Sequence, residues 1–521
     1  MKGDRRIASG TMVAVSGTFI HKALNLVLMP LLFAAIDKEL LGVWFLMSNS
    51  LALLYLFNFG LSPTVQRRVA FAKGLSGDDP YCPLSASSIQ AVADLLMTSR
   101  RMLLVLAVVI FSGGVLAGDW FFYSLNLSPG ATRTAYIAWA LMCAGYSINT
   151  WAGFVNSLLC GLGDVGLAGA INVGSFVLVD ILSIATVAAG GGIVDLAIVW
   201  SVGGIVNRVI AWIALRRQYP EIVSAHGKWR GELARSMMLP AVKMWLMSLG
   251  TFLVMQTDRY YIAYLVNIDA VPAYVAAYAL VATVHELAKA PIEPSAPLVS
   301  QAWQAGNLLM VRKLLWRNLR IVVVTFGTAG ALLVTCGRDI IRLWLGSGNF
   351  VGQTVLVIFV LMLLLDCQHA VTVSVGVATE DIPYGPWLLI AAFINLVLSY
   401  LMGVAWGLAG IAAATLIAHL VTVNWYAVYR PLKQLGLSAG LYVKQFLLPA
   451  ALLILLALVL LSGAARAFAQ SPVWKLSVCG LLAALYGSSV AWLWCLDGED
   501  RQSLKNLAGL LARRLRLRTA S

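Results

Sequence analysis

Between Lys444 and Arg466 the sequence reads QFLLPAALLILLALVLLSGAA, residues 445–465, with no charge in 21 positions. A helix rising about 1.5 Å per residue carries such a run across the roughly 30 Å of a bilayer's hydrocarbon. Backbone polar groups in lipid must pair within their own segment, so a run of this length becomes a helix. It lacks the apolar/polar alternation of a membrane-barrel strand.

Moved along the chain, the same ruler marks fourteen spans, at roughly 11–36, 40–61, 102–124, 134–158, 166–189, 193–215, 238–266, 271–297, 321–343, 351–377, 386–403, 407–428, 442–462 and 474–496. Composition agrees. The 521 residues are 60% hydrophobic and only 12% charged, against about 25% charged in a soluble domain. Lipid is therefore the solvent for most of the chain. The first run is too long for a signal-peptide core and contains His21 and Lys22, so it reads as a retained span.

Basic residues set the orientation. With the N-terminus inside, the inner segments hold 26 Lys and Arg and the outer segments 6. This predicts a multi-pass membrane protein with both termini cytoplasmic. The net charge of +14 then sits mostly on one face, where anionic lipid headgroups meet it. Nucleic acid is a poor partner, because no soluble domain exists to carry it. The inner stretch 296–318 is expected to lie as an amphipathic helix along the membrane surface.

Outer loops run to about 15 residues and leave no room for a catalytic domain, so the chain is not read as an enzyme. The glycine runs 190–192 and 203–204 lack the Lys-Ser/Thr of a nucleotide loop and suit close helix contacts instead. The seven cysteines are scattered without metal-ligand spacing, so no metal and no cofactor are expected.

Residues 40–44, LLGVW, and 270–274, AVPAY, each follow a short acidic turn and open a return helix. They suggest parallel six-span repeats. The expected fold is all-α: two six-helix lobes around a central cavity, plus two extra C-terminal helices. The corresponding segments are 1–217, a linker 218–237, 238–430, the added pair 431–500 and a basic tail 501–521.

Ionisable groups inside spans are costly unless they meet a partner or a wet cavity, so they point to function. Lys22 is too deep to reach the interface easily. Span six carries Asn207 and Arg208; span seven carries Lys243, Asp258 and Arg259. Span eight carries His285, Glu286, Lys289 and Glu293, followed by Pro291, Pro294 and Pro297, which predict a break. Glu286 and Lys289, three apart, also suit a plain ion pair. Asp180 and Asp366 are deep carboxylates with no local cation, and His369 and His419 are further candidates. Lys22, Arg208, Lys243 and Arg259 are the candidate cavity cations; Asp180, Asp258, Glu286 and Asp366 are the candidate coupling acids.

Several stretches resemble a known family. Asn58-Phe59-Gly60-Leu61-Ser62-Pro63-Thr64, followed by Gln66-Arg67-Arg68, is similar to the end of the second helix in polysaccharide flippases. Gln256-Thr257-Asp258-Arg259-Tyr260-Tyr261-Ile262, with Val271-Pro272-Ala273-Tyr274 after it, resembles their seventh-to-eighth helix signature. Leu343-Trp344-Leu345-Gly346 and Leu159-Cys160-Gly161-Leu162-Gly163-Asp164 resemble two further turns. The family is the Wzx-like branch of the multidrug/oligosaccharidyl-lipid/polysaccharide exporter superfamily. The resemblance implies alternating access, with an undecaprenyl-pyrophosphate-linked oligosaccharide as substrate for cell-surface polysaccharide, that is, lipopolysaccharide or exopolysaccharide. It also implies a cationic cavity, coupling to H+ or Na+, and a polysaccharide polymerase with its chain-length machinery as partners. Two alternatives stay open on the same fold: a multidrug or metabolite cation antiporter, and a lipid II-type peptidoglycan precursor flippase. Pro272 stands where the family commonly has Gly.

Overall fold

The computed structural model describes residues 20–56, 61–74, 76, 84–125, 127–290, 292, 295, 299, 302–303, 305–379, 385–496 and 501. The described parts of the fourteen expected spans fall largely on helix, and no strand occurs among the described residues. Nine described helices are long and apolar enough to cross a membrane. The chain divides into two compact units, Met1–Pro272 and Ala273–Ser521.

In the first unit the helices are α1 (Ile20–Ala35), α2 (Lys38–Leu56), α3 (Leu61–Gly74), α4 (Ala86–Ser124), α5 (Pro129–Trp151), α6 (Phe154–Gly161), α7 (Val165–Ala188), α8 (Ile193–Gln218), α9 (Pro220–Ser224), α10 (Gly231–Met255) and α11 (Asp258–Tyr261). α4 starts where Ser85 accepts from the Ser88 amide, a side-chain cap. Its 39 residues extend about 58 Å, so its polar opening turns project beyond the hydrocarbon. Small residues set the approach of the spans. A Cβ on Gly203 of α8 would stand 2.1 Å from Val179 of α7, and one on Gly145 of α5 would stand 2.4 Å from Ser201. α8 therefore lies close to both α7 and α5, with Gly203 receiving Val179 and Gly145 receiving Ser201. α10 breaks at Gln256, and α11 continues as a π-helical turn over Ile262–Val266.

The second unit contains most of α12 (Val271–Lys289), then α13 (Leu308–Leu345), α14 (Gln353–Ala378), α15 (Gly385–His419), α16 (Trp425–Gln434), α17 (Ala439–Tyr442), α18 (Leu448–Ala467) and α19 (Pro472–Val490). α15 bends at Gly407, where φ 56° and ψ −134° suit only glycine; the break separates the expected spans 386–403 and 407–428. α18 and α19 pack on α13 through Ala331, Cys336, Ala457, Leu461 and Cys479. Lys475 of α19 reaches Asp339 of α13 at 2.6 Å.

One stretch differs from expectation. Residues 308–318 do not form a separate surface helix but are the first turns of the 38-residue α13. Asn307 accepts from the Met310 amide at 3.0 Å and starts that helix directly after the Gly306 turn. The described part of α12 ends at Lys289; Pro291, Glu293, Pro294 and Pro297 lie outside the described residues.

Candidate functional site

The first unit encloses a cavity of about 450 Å³ between α1, α2, α5, α7 and α8. That is within the usual size of a ligand pocket. Its polar lining begins with α1, where His21 and Asn25 stand one turn apart. His21 Nδ1 lies 2.5 Å from Asp180 Oδ2 of α7, and Asn25 donates to Asp180 Oδ1 at 3.3 Å. The expected lone carboxylate of span five is thus partnered across 159 positions of sequence. Lys22, the neighbour of His21, is exposed. Adjacent residues on a helix point about 100° apart, so His21 rather than Lys22 lines this cavity.

Among the described residues lining the cavity, Arg208 of α8 is the only Arg or Lys. Its Nε donates to Asn149 Oδ1 of α5, while Nη1 is buried with no hydrogen-bond partner among the described residues. Asn207, next to it, uses its amide nitrogen on Ile171 O, Asn172 Oδ1 and Ser175 Oγ at 3.3, 3.1 and 3.0 Å. Its Oδ1 is buried without a partner among the described residues. Trp44 and Trp200 add aromatic wall, and Trp200 lies parallel to Tyr146 at 6.4 Å.

The other expected cations lie elsewhere. Arg259 donates from Nη1 to Asn49 Oδ1 of α2 at 2.7 Å, and Asn49 donates in turn to Gln256 O at 2.8 Å. Asp258 is buried at the start of α11. The Lys243 side chain lies outside the described residues, although its backbone is in α10. Arg208 and Asp180 are therefore brought together in one cavity, and Arg259 with Asp258 forms a separate seam of the same unit.

The second unit has its own polar cluster. His285 Nε2 of α12 stands 2.8 Å from Asp366 Oδ2 of α14. Glu286 pairs with Lys289 at 3.1 Å, the i, i+3 pair its spacing allows. His369 Nδ1 and His419 Nε2 are buried without hydrogen-bond partners. A mostly apolar cavity of about 620 Å³ lies in the same unit, lined among others by Gln368, Asn424, Trp425, Lys433 and Tyr442. No group of three or more His, Cys, Asp or Glu suited to a metal occurs among the described residues.

Sequence reasoning passed over Asn149, Asn172, Trp44 and Trp200. The signal was available for the asparagines, since an amide deep in an apolar span needs a partner as a charge does.

This architecture is that of membrane flippases and exporters. The chain belongs to the polysaccharide biosynthesis protein family, which matches residues 7–303. Among solved structures it is similar to the lipid II flippase MurJ in an inward closed conformation, at TM-score 0.67 and 13% identity, covering 93% of this chain and 98% of MurJ. It is also similar to a multidrug resistance MATE family transporter of the MOP superfamily in its inward-facing conformation, at TM-score 0.61 and 16% identity, covering 82% and 98% of the two chains. A MOP superfamily transporter from Pyrococcus furiosus Vc1 matches at TM-score 0.51 and 16% identity, covering 84% and 97%. No curated protein matches the sequence.

Proposed function

We propose that the chain moves lipid-linked oligosaccharide units, carried on undecaprenyl pyrophosphate, across the bacterial inner membrane for cell-surface polysaccharide synthesis. Transport is by alternating access of two six-span lobes, 1–217 and 238–430, with both termini cytoplasmic.

The observation that carries this reading is the guanidinium of Arg208, sunk among apolar helices with Nη1 unsatisfied in a roomy cavity. The physical problem in flipping is a polar, pyrophosphate-bearing head in hydrocarbon. A fixed cation with free donors lowers that cost, because anionic oxygens form charge-assisted bonds to guanidinium. The polyprenyl tail stays in lipid throughout. A drug-cation antiporter needs a free carboxylate instead, and the acid of this cavity, Asp180, already faces His21. The polysaccharide family membership supports an oligosaccharide rather than a lipid II substrate.

The same reading assigns cation coupling to the second unit. Asp366 lies against His285, with Lys289, His369 and His419 nearby, so a proton or cation bound there alters a buried charge set.

The test is complementation of strains lacking defined flippases, with lipid-linked intermediates counted on each leaflet. The reading expects restored polymer and an intermediate that reaches the outer leaflet. Drug resistance without restored polymer supports the antiporter. Rescue confined to a strain lacking its lipid II flippase supports the peptidoglycan alternative.

A further inference from the structure

We propose that Trp200 and Asn207 form a saccharide-recognition pair on the cavity face of α8; this inference rests on the flippase reading above. Trp200, Gly203, Gly204 and Asn207 occupy positions i, i+3, i+4 and i+7, one stripe of the helix. All four line the first unit's cavity. The stripe spans about 10 Å; its two glycines are covered by Val179 of α7 and Asn149 of α5, so Trp200 and Asn207 are the side chains it offers to a ligand. A saccharide held in the cavity meets an indole and an amide from one face of α8.

The two ends are held in place. Trp200 lies parallel to Tyr146 with an interplanar angle of 10°, so its indole is braced from one side. An aromatic face is a good surface for the C–H face of a pyranose, since it supplies large apolar area without flexible torsions. Asn207 is 7% exposed and has committed its amide nitrogen to Ile171 O, Asn172 and Ser175. Only Oδ1 remains, buried and without a donor.

The side chain thus selects for a ligand group that donates. Buried acceptors left without donors are uncommon and costly. Beside it, Arg208 Nη1 is a donor without an acceptor. A sugar hydroxyl or acetamido N–H fits Asn207 Oδ1; a purely apolar cation does not. A ligand that lacks the donor leaves the acceptor unmet, which is how polar sites discriminate strongly.

The test uses the purified full-length protein and two probes: undecaprenyl diphosphate, and undecaprenyl diphosphate bearing one N-acetylhexosamine. The wild type is expected to bind the sugar-bearing probe about tenfold more tightly. Trp200→Leu and Asn207→Leu are expected to cut that preference, read as the ratio of the two affinities within each variant, to under about twofold. Trp200→Phe restores part of the preference and serves where the leucine variant does not fold. Arg208→Gln is expected to weaken both probes alike. A full preference retained in Trp200→Leu or Asn207→Leu overturns the proposal, as does a wild type that transports lipid-linked sugar yet binds the two probes equally. A wild type that binds neither probe and transports nothing overturns the flippase reading itself.

Discussion

The Arg208 guanidinium of α8 donates through Nε to the Asn149 side chain of α5 and leaves Nη1 buried with no partner. An unmet buried donor of this kind costs about 1–3 kcal/mol, and an anionic ligand oxygen removes the cost on binding. Arg208→Gln is therefore expected to lower transport by about tenfold or more. Arg208→Lys retains less than half of it, because a point charge cannot hold Asn149 and reach a ligand together. Export assays on membranes with matched protein levels measure both.

Gly204 holds that arginine in place indirectly. A Cβ there stands 2.8 Å from Asn149 Nδ2, so Gly204→Ala pushes the amide that positions Arg208. The expected result is a destabilisation of about 1–3 kcal/mol together with a transport loss larger than instability explains. Gly174, a helical position of α7 with open space around it, is the control position for the effect of a changed glycine alone. Thermal unfolding and transport, measured on the same preparations, separate the two contributions.

Asp94 lies in the polar opening turns of α4, ahead of Arg100 and Arg101. Burial pushes its carboxyl up, but the Lys228 amide, Gln90 and Arg230 outweigh it and hold it below the usual aspartate value. Those contacts are 2.8 Å, 3.0 Å and 2.5 Å long. A depressed carboxyl stabilises fully above its unfolded pKa of about 4 and loses that contribution as pH falls through the folded value. The wild type should therefore lose melting temperature on acidification from about pH 4 downward, and Asp94→Asn should lack that component. At neutral pH the variant should be less stable by about 1.5–3 kcal/mol, toward the lower end because the Arg230 side chain is 62% exposed. Melting curves across pH show whether the two proteins converge in acid.

How much of this was legible beforehand depended on distance along the chain. The helices were legible because a span is a local property: residues 445–465 state their own solvent. Arg208 and Asp180 were legible as charges without local partners. Their surroundings were not, because His21 is 159 residues from Asp180 and Asn149 is 59 from Arg208. Lys22 and His21 differ by one position, and only the packed rotation of α1 decides that His21 faces Asp180. Residues 308–318 misled because a basic amphipathic pattern suits both a surface helix and the projecting end of a long span.

Asp366→Asn tests the second unit. It leaves His285 facing an amide in place of a carboxylate 2.8 Å away, among Glu286, Lys289, Cys367, His369 and His419. The coupling role predicts that transport no longer responds to an imposed proton or sodium gradient, while binding of lipid-linked sugar changes less than about twofold. An unchanged gradient response removes Asp366 from that role.

Leaflet-resolved transport in proteoliposomes is the most direct test of the cation cavity. Vesicles with the purified chain are loaded with a polyprenyl-diphosphate oligosaccharide, and a membrane-impermeant lectin reports the sugar that reaches the outside. The account predicts that the wild type transfers sugar well above protein-free vesicles and that Arg208→Gln falls close to that background. Equal transfer by wild type and Arg208→Gln, or no transfer above background by the wild type, contradicts it.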